Sequence, residues 1–239
     1  YQALMVLVWY RKREEMTVLA AGFGVSRATA YRYRDEVISV LHAQAPDLHD
    51  ALVEVAEQGW SHVVVDGKLF RTDRCAETTT SAKGNTINSW YSGKHRVFGG
   101  NIQAVMRPDG FPMWTSEVVP GHNHDLIAAH EQRLLGALYW SASQLDLPAL
   151  ADSGYEGAGQ GVHTPVKQPG DGNALAPDHQ AYNALHRATR ATGERGFALL
   201  TTRWRALQRI TTSPSKIGRI VAGALVLTHF EHQLRNQSC

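Results

Sequence analysis

The chain has 239 residues, 43% of them hydrophobic and 19% charged, with a net charge of +2. At about 150 residues per domain, this is one main domain with a smaller appendage. The composition excludes a disordered, collagen-like or disulfide-framework chain.

Cys75 and Cys239 lie far apart and match no metal-binding spacing. They read as reduced thiols of a cytoplasm-like compartment, with a single disulfide as the alternative. The longest apolar stretch, 220–227, is far shorter than the ~20 residues of a membrane span. No signal peptide is evident, so a cytoplasmic, nucleoid-associated protein is expected. The chain opens on Tyr1 rather than Met, and its natural start is expected upstream.

In chain order, the first 45 or so residues read as helical. Leu4, Leu7, Val8, Val18 and Leu19 are apolar at helical spacings, and Gly22 and Gly24 interrupt them. Ser26 is a good N-cap for a helix running to about residue 43. Asp47 to Gln58 is a further short helix. His62–Val63–Val64–Val65–Asp66 is a buried strand ending in a carboxylate. Residues 96–106 and 113–119 form a hairpin around Pro108–Asp109–Gly110. Residues 125–142 read as one helix, 147–151 as a short strand ending at Asp152, and 160–177 as a Gly- and Pro-rich connection. Residues 178–207 are a long helical stretch weakened by Gly193 and Gly196, and 217–234 a final apolar helix. The pattern is an α/β domain over 59–239 preceded by a small all-α domain over 1–58.

Residues 18–30 fit a helix-turn-helix. Ala20 allows close helix packing, Gly24 takes the turn, and Val25 plugs the gap. The following helix offers Ser26, Arg27, Thr29, Tyr31, Arg32 and Arg34 to a DNA groove and its phosphates. An ordinary helical hairpin is the bland alternative.

Asp66 and Asp152 both stand where a hydrophobic strand ends and a Gly-containing turn begins. A lone aspartate there is usually a turn former, but two in one chain call for more. Residues 187–219 carry eight bases, Arg187 and Arg190 among them, against one acid, Glu194. An intrahelical Arg–Glu pair gives only a few tenths of a kcal/mol at an exposed site. A carboxylate amid such charge makes sense if it holds a divalent cation beside a phosphodiester. Glu156 lies in a Gly-rich loop and ranks below Glu194. His122, His124 and Asp125 resemble a metal cluster by composition. Asp125 reads first as an N-cap, with His124 and Asp125 kept as supporting or DNA contacts. Trp204 reads as core.

Several segments together resemble the DDE-superfamily transposases of bacterial insertion sequences, in the Harbinger-related branch. They are VVVDGK (63–68), WYSGKHRVFGGNIQAV (90–105), PGHNHDL (120–126), LADSGYEGAG (150–159), TPVK (164–167) and GERGFALL (193–200). The resemblance implies an RNase H-like mixed-sheet core with Asp66, Asp152 and Glu194 as the acidic triad. These would hold Mg²⁺ or Mn²⁺, two ions in all, with Asp66 bridging them. Lys94 and His95 would bind substrate phosphate. The partners implied are double-stranded transposon-end and target DNA, bound by a homodimer or larger synaptic complex, with no membrane. Arg190 stands four residues before Glu194 as in related transposases, whereas position 201 is Thr where they often have Lys. A transposase is therefore the first reading, and a catalytically impaired DNA-binding remnant the second. An aspartic protease, suggested by Asp66–Gly67 and Asp152–Ser153–Gly154, demands an all-β fold that the helices exclude.

Overall fold

The computed structural model describes residues 1–81, 83–170, 174–193 and 195–237, and for 236 and 237 the backbone alone. Glu194 and Cys239 lie outside the described residues.

Three helices open the chain: α1 (Gln2–Lys12), α2 (Met16–Gly22) and α3 (Arg27–His42). Between α2 and α3, Gly24 has φ +65°, the left-handed conformation a tight turn needs. Ser26 caps α3, its Oγ accepting the Thr29 N–H at 3.1 Å. Helix α4 (Leu48–Glu57) follows, capped by Asp47.

The sheet is mixed. Strand β1 (Val63–Arg71) is succeeded by a small hairpin, β2 (Thr78–Thr80) with β3 (Thr86–Asn88), and by β4 (Tyr91–Ser92). Next come β5 (Val97–Met106), β6 (Pro112–Thr115) and β7 (Val119–Pro120). Strand β5 runs antiparallel to β1 from Val64↔Met106 to Arg71↔Gly99, and also pairs β4, β6 and β7. The chain then forms α5 (Asp125–Glu131) and α6 (Leu134–Gln144), where one helix was expected. Arg133, at φ 56°, breaks the run because left-handed backbone cannot continue a right-handed helix.

Strand β8 (Ala149–Leu150) enters parallel to β1 on its other side, and β9 (Val162–His163) pairs parallel with β8. The sheet order is β4-β5-β1-β8-β9. The long helix expected over 178–207 is also divided, into α7 (Pro177–Arg190) and α8 (Arg195–Arg203). Gly193 lies against Val64 between them. Helix α9 (Ile217–Gln237) closes the fold. Among the described residues, no helix is long and apolar enough to cross a membrane.

Alternation along β1 sends Val64 and Phe70 to one core and Val63 and Val65 to the other. The first core joins α1–α3 to α8, α9 and the sheet. Tyr10 is its hub: it is fully buried, and its hydroxyl donates to the Ile220 carbonyl at 3.2 Å. The second core takes α4, α5 and α6 on the opposite face. Trp204 belongs to the first core, as its core reading expected. It is 2% exposed and its indole N–H donates to Thr228 at 2.8 Å.

Truncating Trp204 leaves a large cavity and removes the donor to Thr228, whose hydroxyl keeps only its bond to the Ala224 carbonyl. Trp204→Ala is expected to lower unfolding free energy by about 3–5 kcal/mol. Leu185→Ala, at a site 68% exposed, should stay within about 0.5 kcal/mol. Urea titrations of both variants check the contrast.

Candidate active site

The site forms where β1 loses β8 as a neighbour. Val63 pairs with Ala149 and Val64 with Leu150. Continued two residues, that register sets Asp66 beside Asp152. The strand expected to end at Asp66 runs on to Arg71 because β5 continues to pair with it, so Asp66 stands within β1 where the parallel pairing stops, and Asp152 stands just past the carboxyl end of β8. Asp66 Oδ1 accepts the Gly67 N–H at 3.0 Å. Asp152 caps the turn at Ser153–Tyr155, accepting the Gly154 N–H at 2.8 Å.

A third carboxylate is present, and the sequence reading had given it another role. His124, not Asp125, occupies the N-cap of α5, and Asp125 is the first helical residue. The Asp125 carboxylate turns instead towards Asp66 and Asp152. Its Oδ1 accepts the Asn101 amide N–H at 2.9 Å, and its Oδ2 lies 3.5 Å from Lys94 Nζ. The β-carbon that Gly154 lacks would stand 2.8 Å from Asp152 Oδ1 and 3.3 Å from Asp125 Oδ2. Two carboxylates therefore border one spot. Gly67 is glycine for a related reason: a side chain there would collide with Asp125 and with Gln103 Nε2.

Electrostatics follow from this crowding. Burial pushes the Asp66 carboxyl up to about 6, and the Asp152 and Asp125 charges push the same way against Arg190 and the Gly67 N–H. Arg190 is 8% exposed and directs its charge at Asp66. A cavity of about 420 Å³ opens over Asp66, Asp125 and Asp152, with Lys68, Arg71, Lys94 and His95 at its margin. Phe197 and Ala198 of α8 form its far wall.

An all-oxygen donor set around a desolvated, mutually repelling carboxylate group suits a hard divalent cation. Among the described residues, no three acidic, histidine or cysteine side chains converge into a ready-made cage. The fit is that of partners gathered around one cavity. Glu194 lies outside the described residues. Its neighbours Gly193 and Gly196 pack on Val64 of β1 and Met106 of β5.

The other candidates divide by exposure. Ser26, Arg27, Tyr31 and Arg32 face solvent on α3, and Thr29 is half-buried with its hydroxyl 2.9 Å from that of Ser26. Arg34 departs from the expectation. It is 6% exposed, donates to Asp35 at 2.7 Å and stacks against Trp9 and Tyr31, so it packs α3 rather than facing a groove. Lys94 and His95 are exposed beside the carboxylates. Arg187 is exposed on α7, whereas Arg190 is withdrawn into the site. His122 donates to or accepts from the protein itself, with Nδ1 2.7 Å from the Ser89 carbonyl. Glu156 forms an ion pair with Lys167.

The raised Asp66 has a measurable consequence in the cation-free protein. Its folded pKa lies above the unfolded one, so its stabilising contribution is complete below about pH 4 and is lost as pH rises through about 6. A shift of two units corresponds to ~3 kcal/mol. Between acidic and neutral pH the parent should lose stability relative to Asp66→Asn by that order. Urea midpoints measured in chelator check this, and parallel pH profiles would contradict it.

The helix-turn-helix of DDE superfamily endonucleases matches residues 1–47, and the DDE superfamily endonuclease domain matches residues 65–229. No match was found among curated proteins. Two solved structures show a faint likeness. A Mos1 transposase paired-end complex with left transposon end is 12% identical, with a TM-score of 0.24 over 94% of this chain and 78% of that one. A pre-cleavage Mos1 transpososome is 10% identical, with a TM-score of 0.23 over 95% and 78%. Neither carries an argument at that level. The two family matches account for most of the sequence, and both the mixed sheet and the N-terminal helical unit accord with them. The chain belongs to the DDE superfamily endonucleases.

Proposed function

We propose that the chain is a transposase of a bacterial insertion sequence in the Harbinger-related branch. It binds the element's ends and carries out metal-dependent strand cleavage and strand transfer. The observation that supports this best is the β1–β8 register, which sets Asp66 beside Asp152 at the mouth of a cavity rimmed by cations.

Asp66, Asp152 and Glu194 are assigned as cation ligands, Glu194 from the sequence alone. Two Mg²⁺ or Mn²⁺ ions bound there would supply activation of the attacking oxygen and shielding of the phosphate charge. Arg190 holds positive charge next to Asp66. Lys94 and His95, with Lys68 and Arg71, line the route of the sugar–phosphate backbone. Ser26, Arg27, Thr29, Tyr31 and Arg32 contact the duplex from α3, and Arg187 adds a contact from α7. No protein nucleophile is required. Tyr155 suits none: it is 1% exposed and its hydroxyl donates to Gln103. The domain boundary near residue 58, the cytoplasmic setting and a homodimeric or larger synaptic complex belong to the same reading.

Asp66→Asn keeps the shape and removes the ligating charge. It is expected to abolish Mg²⁺-dependent cutting of transposon-end DNA and to leave end binding nearly intact. Cutting at the parent's rate, or a trapped tyrosyl–DNA adduct, would sink the assignment. Arg27→Ala and Arg32→Ala should each weaken end binding and flatten its salt dependence by about one counterion. Filter binding over a salt series measures this, and unchanged affinity in both would count against recognition by α3. Thr201, where related transposases often have Lys, favours a second reading, a DNA-binding protein without turnover. Its hydroxyl is tied to the Phe197 carbonyl at 2.8 Å. End binding without cleavage by the parent would select that reading.

A further inference from the structure

A buried chain of hydrogen bonds ends on Asp125. The Tyr155 hydroxyl donates to Gln103 Oε1 at 2.5 Å, Gln103 Nε2 donates to Asn101 Oδ1 at 3.0 Å, and Asn101 Nδ2 donates to Asp125 Oδ1 at 2.9 Å. Its members are almost sealed from water: Gln103 is 0% exposed, Tyr155 1% and Asn101 5%. Direction is fixed at the head, because burial and the nearby Asp125, Asp66 and Asp152 charges keep the phenol protonated and donating. Each amide then accepts through oxygen and donates through nitrogen. The run closes on an acceptor-only carboxylate.

Such a network carries a desolvation cost that apolar side chains of similar size would avoid. Its effect is to pin one oxygen of Asp125 and leave the other facing the cavity. That second oxygen borders the same spot as Asp152 Oδ1 and lies 3.5 Å from Lys94 Nζ. Carboxylates that bind cations are typically held by hydrogen bonds of this kind. Lys94 is 56% exposed, on the turn between β4 and β5, so its ammonium is loosely held and exchangeable.

We propose that Asp125 is a fourth carboxylate of the cation site, positioned by the Tyr155–Gln103–Asn101 chain, and that the Lys94 ammonium competes with a divalent cation for it. This rests on the metal-dependent reading above. In the cation-free protein Lys94 neutralises Asp125; when a cation enters, the ammonium is released to the DNA phosphate. Cation loading and phosphate capture are thereby linked at one side chain.

The test is Mn²⁺ binding to the full chain without DNA, read by the electron paramagnetic resonance of free Mn²⁺, with circular dichroism as the folding check. Asp125→Asn should weaken binding roughly tenfold or more. Lys94→Gln should tighten it about threefold, because the competing charge at 3.5 Å is gone. Parental affinity in Asp125→Asn, or no tightening in Lys94→Gln, overturns the proposal. If Asp125→Asn does not fold, the surface variant Lys94→Gln decides alone. Asp66→Asn separates the two levels. Loss of Mn²⁺ in that variant, with Asp125→Asn unchanged, keeps the metal site and removes Asp125 from it. Parental Mn²⁺ affinity in Asp66→Asn removes the metal-dependent reading itself.

Discussion

Repulsion among carboxylates gathered at the end of a buried parallel strand pair governs this molecule. The β1–β8 register forces Asp66 and Asp152 together, and α5 brings Asp125 to the same place. Each carboxylate makes it harder for Asp66 to ionise, in an environment already short of water. Such an arrangement has no structural benefit of its own. The surrounding protein offsets it in part with Arg190, Lys94 and the Gly67 N–H, and the remainder is what a bound cation would relieve. Gly67 has no side chain because Asp125 occupies that volume. The sheet's geometry, the choice of glycine and the nearby bases are all consequences of one crowded point.

The charge elsewhere is arranged differently from its distribution along the chain. The run 187–219 is strongly basic as a string of residues, but in space several members meet acids from distant segments. Arg203 bonds Glu231 at 2.6 Å, Arg209 bonds Asp73 at 3.0 Å, and Lys216 bonds Asp35 at 2.9 Å. Exposed pairs of this kind add little stability, up to ~1 kcal/mol each. They do reduce the charge that the run presents to a polyanion. The cations best placed for phosphate are therefore those around the cavity and on the outer face of α3, not the run as a whole.

Legibility in the sequence followed the range of the interactions. The start of β1, the hairpin around Pro108–Asp109–Gly110 and the Ser26 cap depend on neighbours a few residues away and were readable, whereas the continuation of β1 past Asp66 to Arg71 rests on its pairing with β5 and was not. Asp152 was readable too, since a short apolar strand followed by Ser-Gly is a local signal. Asp125 was misread because a helix-starting aspartate looks the same whether it caps the helix or turns inward. Only the contacts with Asn101, Lys94 and Asp152, 24 to 31 residues away in the chain, distinguish them. One signal was available: Asn101 and Gln103 are polar at alternate positions of an otherwise apolar strand, which marks a buried polar row. Arg34 was misplaced for a similar reason. Its periodicity puts it near Arg27 and Tyr31, but Trp9 of α1 and Asp35 draw it into the packing. The break at Arg133 was invisible to periodicity, which continues through it, whereas Gly193 marked a weak point in the long stretch without showing that it divides there.

The sharing of one core between the N-terminal helices and α9 has a mechanical consequence. Met5, Val6, Tyr10, Leu19 and Ala30 pack in the same cluster as Phe70, Ile102, Ile217 and Val221. Hence α3 is not tethered to the sheet by a linker alone; its inner face is part of the sheet's own hydrophobic cover. Lys216 reaches Asp35 on α3 across the same boundary, and Gln2 donates to Glu36 at 2.7 Å within the helical unit. An interface of this apolar kind resists rotation more than a wet domain contact does. In the proposed reading, a duplex bound through Arg27 and Arg32 would be held at a fixed bearing to Asp66 and Asp152. The α4 helix, covering the opposite face with Leu48, Leu52 and Val55, anchors the connecting chain to the second core. With both faces of the sheet covered, the outer face of α3 and the carboxylate cluster belong to one packed unit. On the proposed reading, a given DNA end would then meet the site in one register.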